Sequence, residues 1–272
     1  MASKSPSVGE LFEEIVKLVA KLRSADGCPW DREQTHESIK RCAIEEAYEV
    51  VSAIESGDME KLREELGDLL LQVVFHAQMA SEKGQFDIQD VIEGLRSKLI
   101  SRHPHVFGDA HAETAEQVLA QWHAIKQAER SHADDASGTL MADLPLAMPA
   151  LMLAEEVQRR ASHVGFDWGS AKDAFIKVRE EVEELSDLLG QCGDAVLSKL
   201  KEELGDLLFS IVNVARLLKL DAEDALRCTV HKFIKRFGEI EKRAKELGID
   251  LSQMSLQEMD AIWDEAKSTE GR

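Results

Sequence analysis

Apolar residues recur along this chain at helical spacing. Leu200, Leu204, Leu207, Leu208, Ile211 and Val212 fall at i, i+4, i+7 and i+8 intervals, and Leu62, Leu66, Leu69, Leu70, Val73 and Val74 set out the same pattern earlier. That period lays a continuous apolar stripe along one side of an α-helix. Val178, Val182, Leu185 and Leu189 form another stripe just ahead of the later one. A one-sided helix must bury its stripe against a second element, so these segments are expected to pack as antiparallel pairs within helical bundles. No apolar run approaches the ~18 residues of a membrane span, and Met1 to Glu10 lacks a signal-peptide pattern.

The stripes belong to a longer internal repeat. LREELGDLL from Leu62 to Leu70 returns as LKEELGDLL from Leu200 to Leu208. Each copy is preceded by an acidic helix, IEEAYEV (Ile44 to Val50) or REEVEEL (Arg179 to Leu185). Each is followed by a basic pair, Lys98 with Arg102 or Lys232 with Arg236, and then by Trp-x-x-x-Lys, Trp122 with Lys126 or Trp263 with Lys267. Landmarks recurring in one order imply duplication of one unit. The polar, small-residue stretch from Glu129 to Asp143 with Gly138, followed by Pro145 and Pro149, reads as the join. The expected division is residues 1–128, a linker over 129–150, and 151–272.

Composition supports an all-α chain. Of the 272 residues 44% are hydrophobic and only 5% aromatic, and there are five prolines, while strong helix formers dominate. The formal net charge is -19, which disfavours binding to a nucleic-acid backbone. It leaves room for a phosphate ligand that arrives with a divalent cation. The four cysteines, Cys28, Cys42, Cys192 and Cys228, include no Cys-x-x-Cys pair. Neither a zinc knuckle nor a disulfide scaffold is expected. A soluble cytoplasmic protein with reduced thiols and no membrane partner follows.

The repeated helices carry acids as well as leucines. Glu181 with Glu184, and Glu203 with Asp206, are spaced i, i+3, which puts each pair on one side of its helix beside the apolar stripe. If the stripes pack together, four carboxylates converge at the edge of the core. Such a cluster is costly without a cation. With no histidine or thiol nearby, the hard oxygen donors favour magnesium or manganese over zinc. The first copy offers Glu46, Glu49, Glu65 and Asp68. One Glu-x-x-Glu pair alone is usually a solvated surface; its duplication on adjacent amphipathic helices reverses that reading. Gly67 and Gly205 sit between the acids of the second helix in each copy, where glycine costs ~0.8–1 kcal/mol against alanine. Their placement suggests a close approach to the backbone.

The pattern Glu180, Glu181, Glu184, Glu203, Asp206 resembles the MazG nucleoside triphosphate pyrophosphohydrolases. CPWDREQT (Cys28 to Thr35), RHPHVFGD (Arg102 to Asp109) and VGFDW (Val164 to Trp168) resemble that family's tandem-domain bacterial members. The resemblance covers nearly the whole chain. It implies two tandem MazG-like helical-bundle domains, a fold related to the dimeric dUTPases, and a homodimer or larger assembly. It also implies magnesium-dependent attack of water at the α-phosphorus of a nucleoside triphosphate, giving monophosphate and pyrophosphate.

On that resemblance Glu181, Glu184, Glu203 and Asp206 are the metal ligands, and Glu180 or one of the ligands, Glu181 first among them, takes the proton from water. Lys177, Lys199 and Glu202 match nucleotide-contacting positions. Lys232 and Arg236 share a helix side and suit a triphosphate. Trp263 suits either base stacking or helix packing, with Lys267 one turn on. Aligning Glu46 with Glu181 sets Cys42 opposite Lys177, so the first copy lacks one positive charge, and the second is expected to be the main site. Glu33-x-x-His36 and Glu129-x-x-His132 lie off the repeated acidic helices and are not read as a di-iron site. His103 and His105 are assigned to structure. Two other functions compete with broad triphosphate hydrolysis: a house-cleaning hydrolase for one damaged or deoxy nucleotide, and a non-catalytic acidic module that binds a basic partner.

Overall fold

The computed structural model describes residues 5–132, 139–142, 144–191 and 193–270, without the side chains of 123, 126–132 and 270. The centre of the expected linker, Cys192, and the side chains of Lys126, Glu129 and His132 therefore lie outside the described residues. Among the described residues the chain is all-α, with no strand. It divides into two compact units, Met1–Asp134 and Asp135–Arg272. No helix of the described residues is long and apolar enough to cross a membrane.

Unit 1 contains α1 (Val8–Leu22), α2 (Pro29–Glu33), α3 (His36–Ser56), α4 (Met59–Glu82), α5 (Ile88–Arg102), α6 (Pro104–Phe107) and α7 (Ala115–His132). Local chemistry sets the boundaries. Ser7 and Thr35 close capping boxes at the starts of α1 and α3, and Asp58 accepts from Glu60 and Lys61 at the start of α4. Gly57, at φ +69°, ends α3 in the left-handed region. The short turn between α3 and α4 folds them back on each other as the principal pair of the unit. Val19, Ile39, Val74, Phe75 and Met79 form the core, with Phe12, Val16, Cys42 and Ile88 packed against it. Gly27 is required where it stands, because a Cβ there would lie 2.2 Å from the carbonyl oxygen of Leu22.

Unit 2 repeats the plan with α8 (Ala150–His163), α9 (Ala171–Leu188), α10 (Asp194–Leu217), α11 (Ala222–Leu247) and α12 (Leu256–Glu270). Ser170 and Asp221 cap α9 and α11. The α9–α10 hairpin dominates, α8 packs on α10, and α12 packs on α11. Arg160 is 3% exposed; it pairs with Glu156 at 2.8 Å and donates to the Leu140 carbonyl at 3.0 Å. Part of the stretch read as a linker thus packs on α8.

The leucine stripes are divided between burial and solvent. Val74, Val178 and Val212 are buried, whereas Leu66, Leu70 and Val73, and Val182, Leu204, Leu208 and Ile211, are exposed. Each acidic hairpin covers one flank of its stripe within the chain and leaves the other uncovered.

Candidate functional site

The α9–α10 hairpin sets Glu181 and Glu184 against Glu203. One carboxylate oxygen from each lies within 4.8 Å of the other two. Glu181 is 3% exposed. Its Oε1 accepts from the Lys177 ammonium at 2.8 Å, one turn earlier, and Lys177 also reaches Glu180 at 3.2 Å. The other Glu181 oxygen, Oε2, is buried with no hydrogen-bond donor. A buried carboxylate oxygen without a donor costs more than a neutral group in the same state. Burial pushes the Glu203 carboxyl above the ordinary glutamate range, and Glu184, Glu181 and Asp206 add to the effect. Lys177 is held protonated to unusually high pH, mainly by Glu181 and then by Glu180. One ammonium therefore offsets only part of the carboxylate charge. Oxygen donors in excess of local cations, one of them orphaned, fit a hard divalent ion.

Unit 1 builds the same trio from Glu46, Glu49 and Glu65 on α3 and α4. Its electrostatics differ. Cys42, at the position of Lys177, packs against the hydrophobic core, so no ammonium reaches Glu46 from that site. Gln72 approaches Glu46 at 3.5 Å, and Lys61 stands 3.9 Å from Glu65. Burial raises the Glu46 and Glu65 carboxyls, with neighbouring acids adding to it, Asp68 first for Glu46 and Glu49 for Glu65.

In unit 2 the acids open into a cleft of about 1050 Å³. Glu181, Glu184, Glu203, Asp206 and Lys177 line it, and Phe166, Trp168, Gln158, Phe209 and Asn213 continue the wall. Asp206 thus faces the same space as the trio. Lys199 and Glu202 are exposed on α10, one turn and one residue before Glu203, and neither lines the cleft.

Lys232, Arg236, Trp263 and Lys267 lie on α11 and α12, and none of them lines this cleft. Arg236 stacks its guanidinium 5.5 Å from the Trp263 ring centre, and Phe233 meets the same ring at 5.1 Å. Unit 1 repeats the contact with Arg102 6.0 Å from Trp122. The recurring basic residue and tryptophan thus share a cation–π contact that holds α12 on α11 and α7 on α5. His103 and His105 lie ring to ring at the α5–α6 junction.

Sequence reasoning singled out the acids but gave no role to the aromatic end of the cleft. Phe166 and Trp168 stood inside VGFDW without a function. Gln158 reaches the site through a bond to the Phe209 carbonyl, 51 residues away, and no local pattern marks such a contact.

The chain matches the MazG nucleotide pyrophosphohydrolase domain twice, over residues 34–107 and 172–239. It is 44% identical over 259 residues to the nucleoside triphosphate pyrophosphohydrolase/pyrophosphatase MazG of Thermotoga maritima, covering 95% of this chain and 96% of that one. It is 43% identical over 262 residues to the nucleoside triphosphate pyrophosphohydrolase of Escherichia coli K12, covering 95% and 98%.

Proposed function

The chain belongs to the MazG nucleotide pyrophosphohydrolase family, and from that membership we propose how its second copy carries the reaction. The protein is a hydrolase that converts nucleoside triphosphates to monophosphate and pyrophosphate. In this reading the unit 2 cleft is the working site, and Glu181, Glu184, Glu203 and Asp206 hold magnesium, with manganese as the alternative ion. The observation that carries it is the orphaned, buried Oε2 of Glu181 beside two further carboxylates. A divalent cation bound there would offset phosphate charge as it develops at the reacting phosphorus.

The chain's own groups divide the remaining work. Lys177 is tethered to Glu180 and Glu181, and its ammonium would turn toward the triphosphate once Glu181 served as a metal ligand. Glu180 is exposed and stands outside the trio, and it accepts the proton of the attacking water; Glu181 is the alternative acceptor. Lys199 and Glu202 meet the nucleotide from the exposed side of α10. The cleft is wide and its aromatic end is sequence-tolerant, because every base has a stackable face. Broad specificity follows.

Lys232, Arg236, Trp263 and Lys267 contact substrate in this reading through a homodimer. Support comes from the exposed flank formed by Val182, Leu204, Leu208 and Ile211, which a second copy would cover. Unit 1 serves as an assembly element or weaker site.

Pyrophosphate release from a panel of triphosphates, with magnesium, manganese or zinc added to chelator-treated protein, tests the assignment. Turnover is expected with magnesium and manganese across several bases. Paired substitutions locate it. Glu181→Gln with Glu184→Gln abolishes turnover, and Glu46→Gln with Glu49→Gln leaves most of it. Loss only in the second pair would move the active site to unit 1.

A further inference from the structure

Residues 129–150 read in the sequence as a join, yet the described stretch just ahead of α8 is built and held. The Ala142 N–H donates to Thr139 O at 3.2 Å, the Leu144 N–H to Met141 O at 3.4 Å and the Met148 N–H to Pro145 O at 2.9 Å. Successive turns, with φ fixed by the rings of Pro145 and Pro149, leave this stretch little freedom. It belongs to unit 2.

One side chain ties the stretch to α8. Arg160 is 3% exposed. Its Nε donates to Glu156 Oε1 at 2.8 Å, one turn earlier, and its Nη1 donates to the Leu140 carbonyl at 3.0 Å. The other Glu156 oxygen accepts from Arg159 at 2.9 Å. Burial alone would push the Glu156 carboxyl up, but Arg160 and then Arg159 outweigh it and hold the group below the ordinary glutamate range. A guanidinium is costly to bury even when paired, and an apolar side chain would pack on α8 as well. What the planar fork adds is one rigid group that meets a carboxylate and a carbonyl together. It fixes where Leu140 stands on α8. The sequence of α1, the helix that opens unit 1, contains no arginine, so α1 has no counterpart of this clamp.

The residue that the clamp delivers is Met141. It follows Leu140 directly and lines the same cleft as Glu181, Glu184, Glu203 and Asp206, together with Val157 and Ala161 of α8. Methionine is flexible and polarisable and repacks against the surface it meets. That suits a wall that closes on a ligand and reopens.

We propose that the stretch ahead of α8 is a working wall of the unit 2 cleft, and that Arg160 is a positioning residue for the reaction: it holds the Leu140 carbonyl, and through it sets Met141 against the bound nucleoside triphosphate. The proposal rests on unit 2 being the working site. It gives the join between the copies a part in binding substrate, away from the reacting atoms.

The test titrates the full chain in magnesium with the α,β-imido analogue of ATP and follows hydrogen exchange at the Ala142 and Leu144 amides. In wild type the analogue is expected to slow exchange at both. Met141 is half-buried and outside the core, so Met141→Ala removes cleft surface alone. It is expected to weaken the analogue about 4- to 15-fold, the burial of one or two methylene groups, with kcat for ATP nearly unchanged, as for a contact made equally in ground and transition states. Met141→Leu, close in volume, should bind as wild type does. Arg160→Lys keeps a cation beside Glu156 and loses the arm to Leu140. It is expected to weaken the analogue about 3- to 10-fold, as for one hydrogen bond, and to remove the ligand's protection of Ala142 and Leu144. If Arg160→Lys does not fold, exchange in wild type and the two Met141 variants decide. Exchange in wild type that ignores the analogue, or wild-type affinity in Met141→Ala, overturns the proposal. An Arg160→Lys protein that melts lower yet binds and protects as wild type does overturns the positioning role. If Glu181→Gln with Glu184→Gln leaves turnover intact, the choice of unit 2 is wrong; if that pair abolishes turnover while Met141→Ala binds normally, the wall alone is wrong.

Discussion

Lys177 is the charge on which the metal-free state of unit 2 depends. Its ammonium lies 2.8 Å from Glu181 and 3.2 Å from Glu180. Two unit charges at 2.8 Å attract by about 1.5 kcal/mol in bulk water and about 6 kcal/mol at an effective dielectric of 20. The Lys177 side chain is 39% exposed, so solvent screening brings the usable figure to about 1–2 kcal/mol. Lys177→Met keeps the aliphatic stem and removes the charge, leaving Glu181 buried against Glu184 and Glu203. For a unit of this size about 3 °C of melting temperature goes with each kcal/mol. In chelator, scanning calorimetry should show unit 2 melting about 3–6 °C lower in Lys177→Met than in wild type. Magnesium should raise the variant's melting temperature by more than it raises that of wild type, because the ion no longer competes with an ammonium for Glu181. Turnover should fall nonetheless if Lys177 meets the triphosphate as proposed. An unchanged metal-free melting temperature, or a smaller magnesium shift than wild type, would refute the reasoning.

Further outcomes follow from the same geometry. Burial and neighbouring acids hold Glu203 above the ordinary glutamate value. The folded state therefore binds more protons than the unfolded one, and metal-free stability should decline as pH rises above about 4.5; Glu203→Gln should flatten that decline in a pH series of melts and weaken magnesium-dependent stabilisation. His76 is held below the usual imidazole value, chiefly by burial and also by His36, whose Nδ1 lies 2.8 Å from its own. Stability should drop as pH falls through about 6.5, where the unfolded histidine takes up its proton first, and a wild-type melt series as steep as that of His76→Leu would exclude this. A Cβ at Gly205 meets nothing within 4 Å in one chain. Gly205→Ala should therefore stabilise dilute protein by roughly 0.5–1 kcal/mol, while weakening self-association in sedimentation if the second copy proposed to cover Leu204 and Leu208 also reaches the helix backbone between them; an unchanged association constant takes Gly205 out of the contact.

Much of this architecture was legible in the sequence because the helical period writes itself into the leucines. Two copies of ELGDLL on amphipathic segments disclosed helix, repeat and acidic hairpin together. The i, i+3 spacing of Glu181 and Glu184 disclosed that two carboxylates share one side of α9. The sequence could not disclose which flank of a stripe is buried, since Leu204 and Val212 look alike until a neighbour covers one of them. Nor did it disclose that the arginine of the basic pair stacks on a tryptophan. Arg236 and Trp263 are 27 residues apart in sequence, and their contact depends on how α12 folds back on α11. The aromatic end of the cleft escaped for the same reason. Gln158, Asn213 and Phe166 come from three elements, and what they share is orientation fixed by tertiary bonds.

The most direct measurement runs the reaction in ¹⁸O-labelled water with magnesium and locates the label by mass spectrometry. If water attacks the α-phosphorus, label should appear in the nucleoside monophosphate and not in pyrophosphate, and the labelled product should vanish in Glu181→Gln with Glu184→Gln. Label in pyrophosphate or orthophosphate, or undiminished labelled monophosphate from that variant, would contradict it.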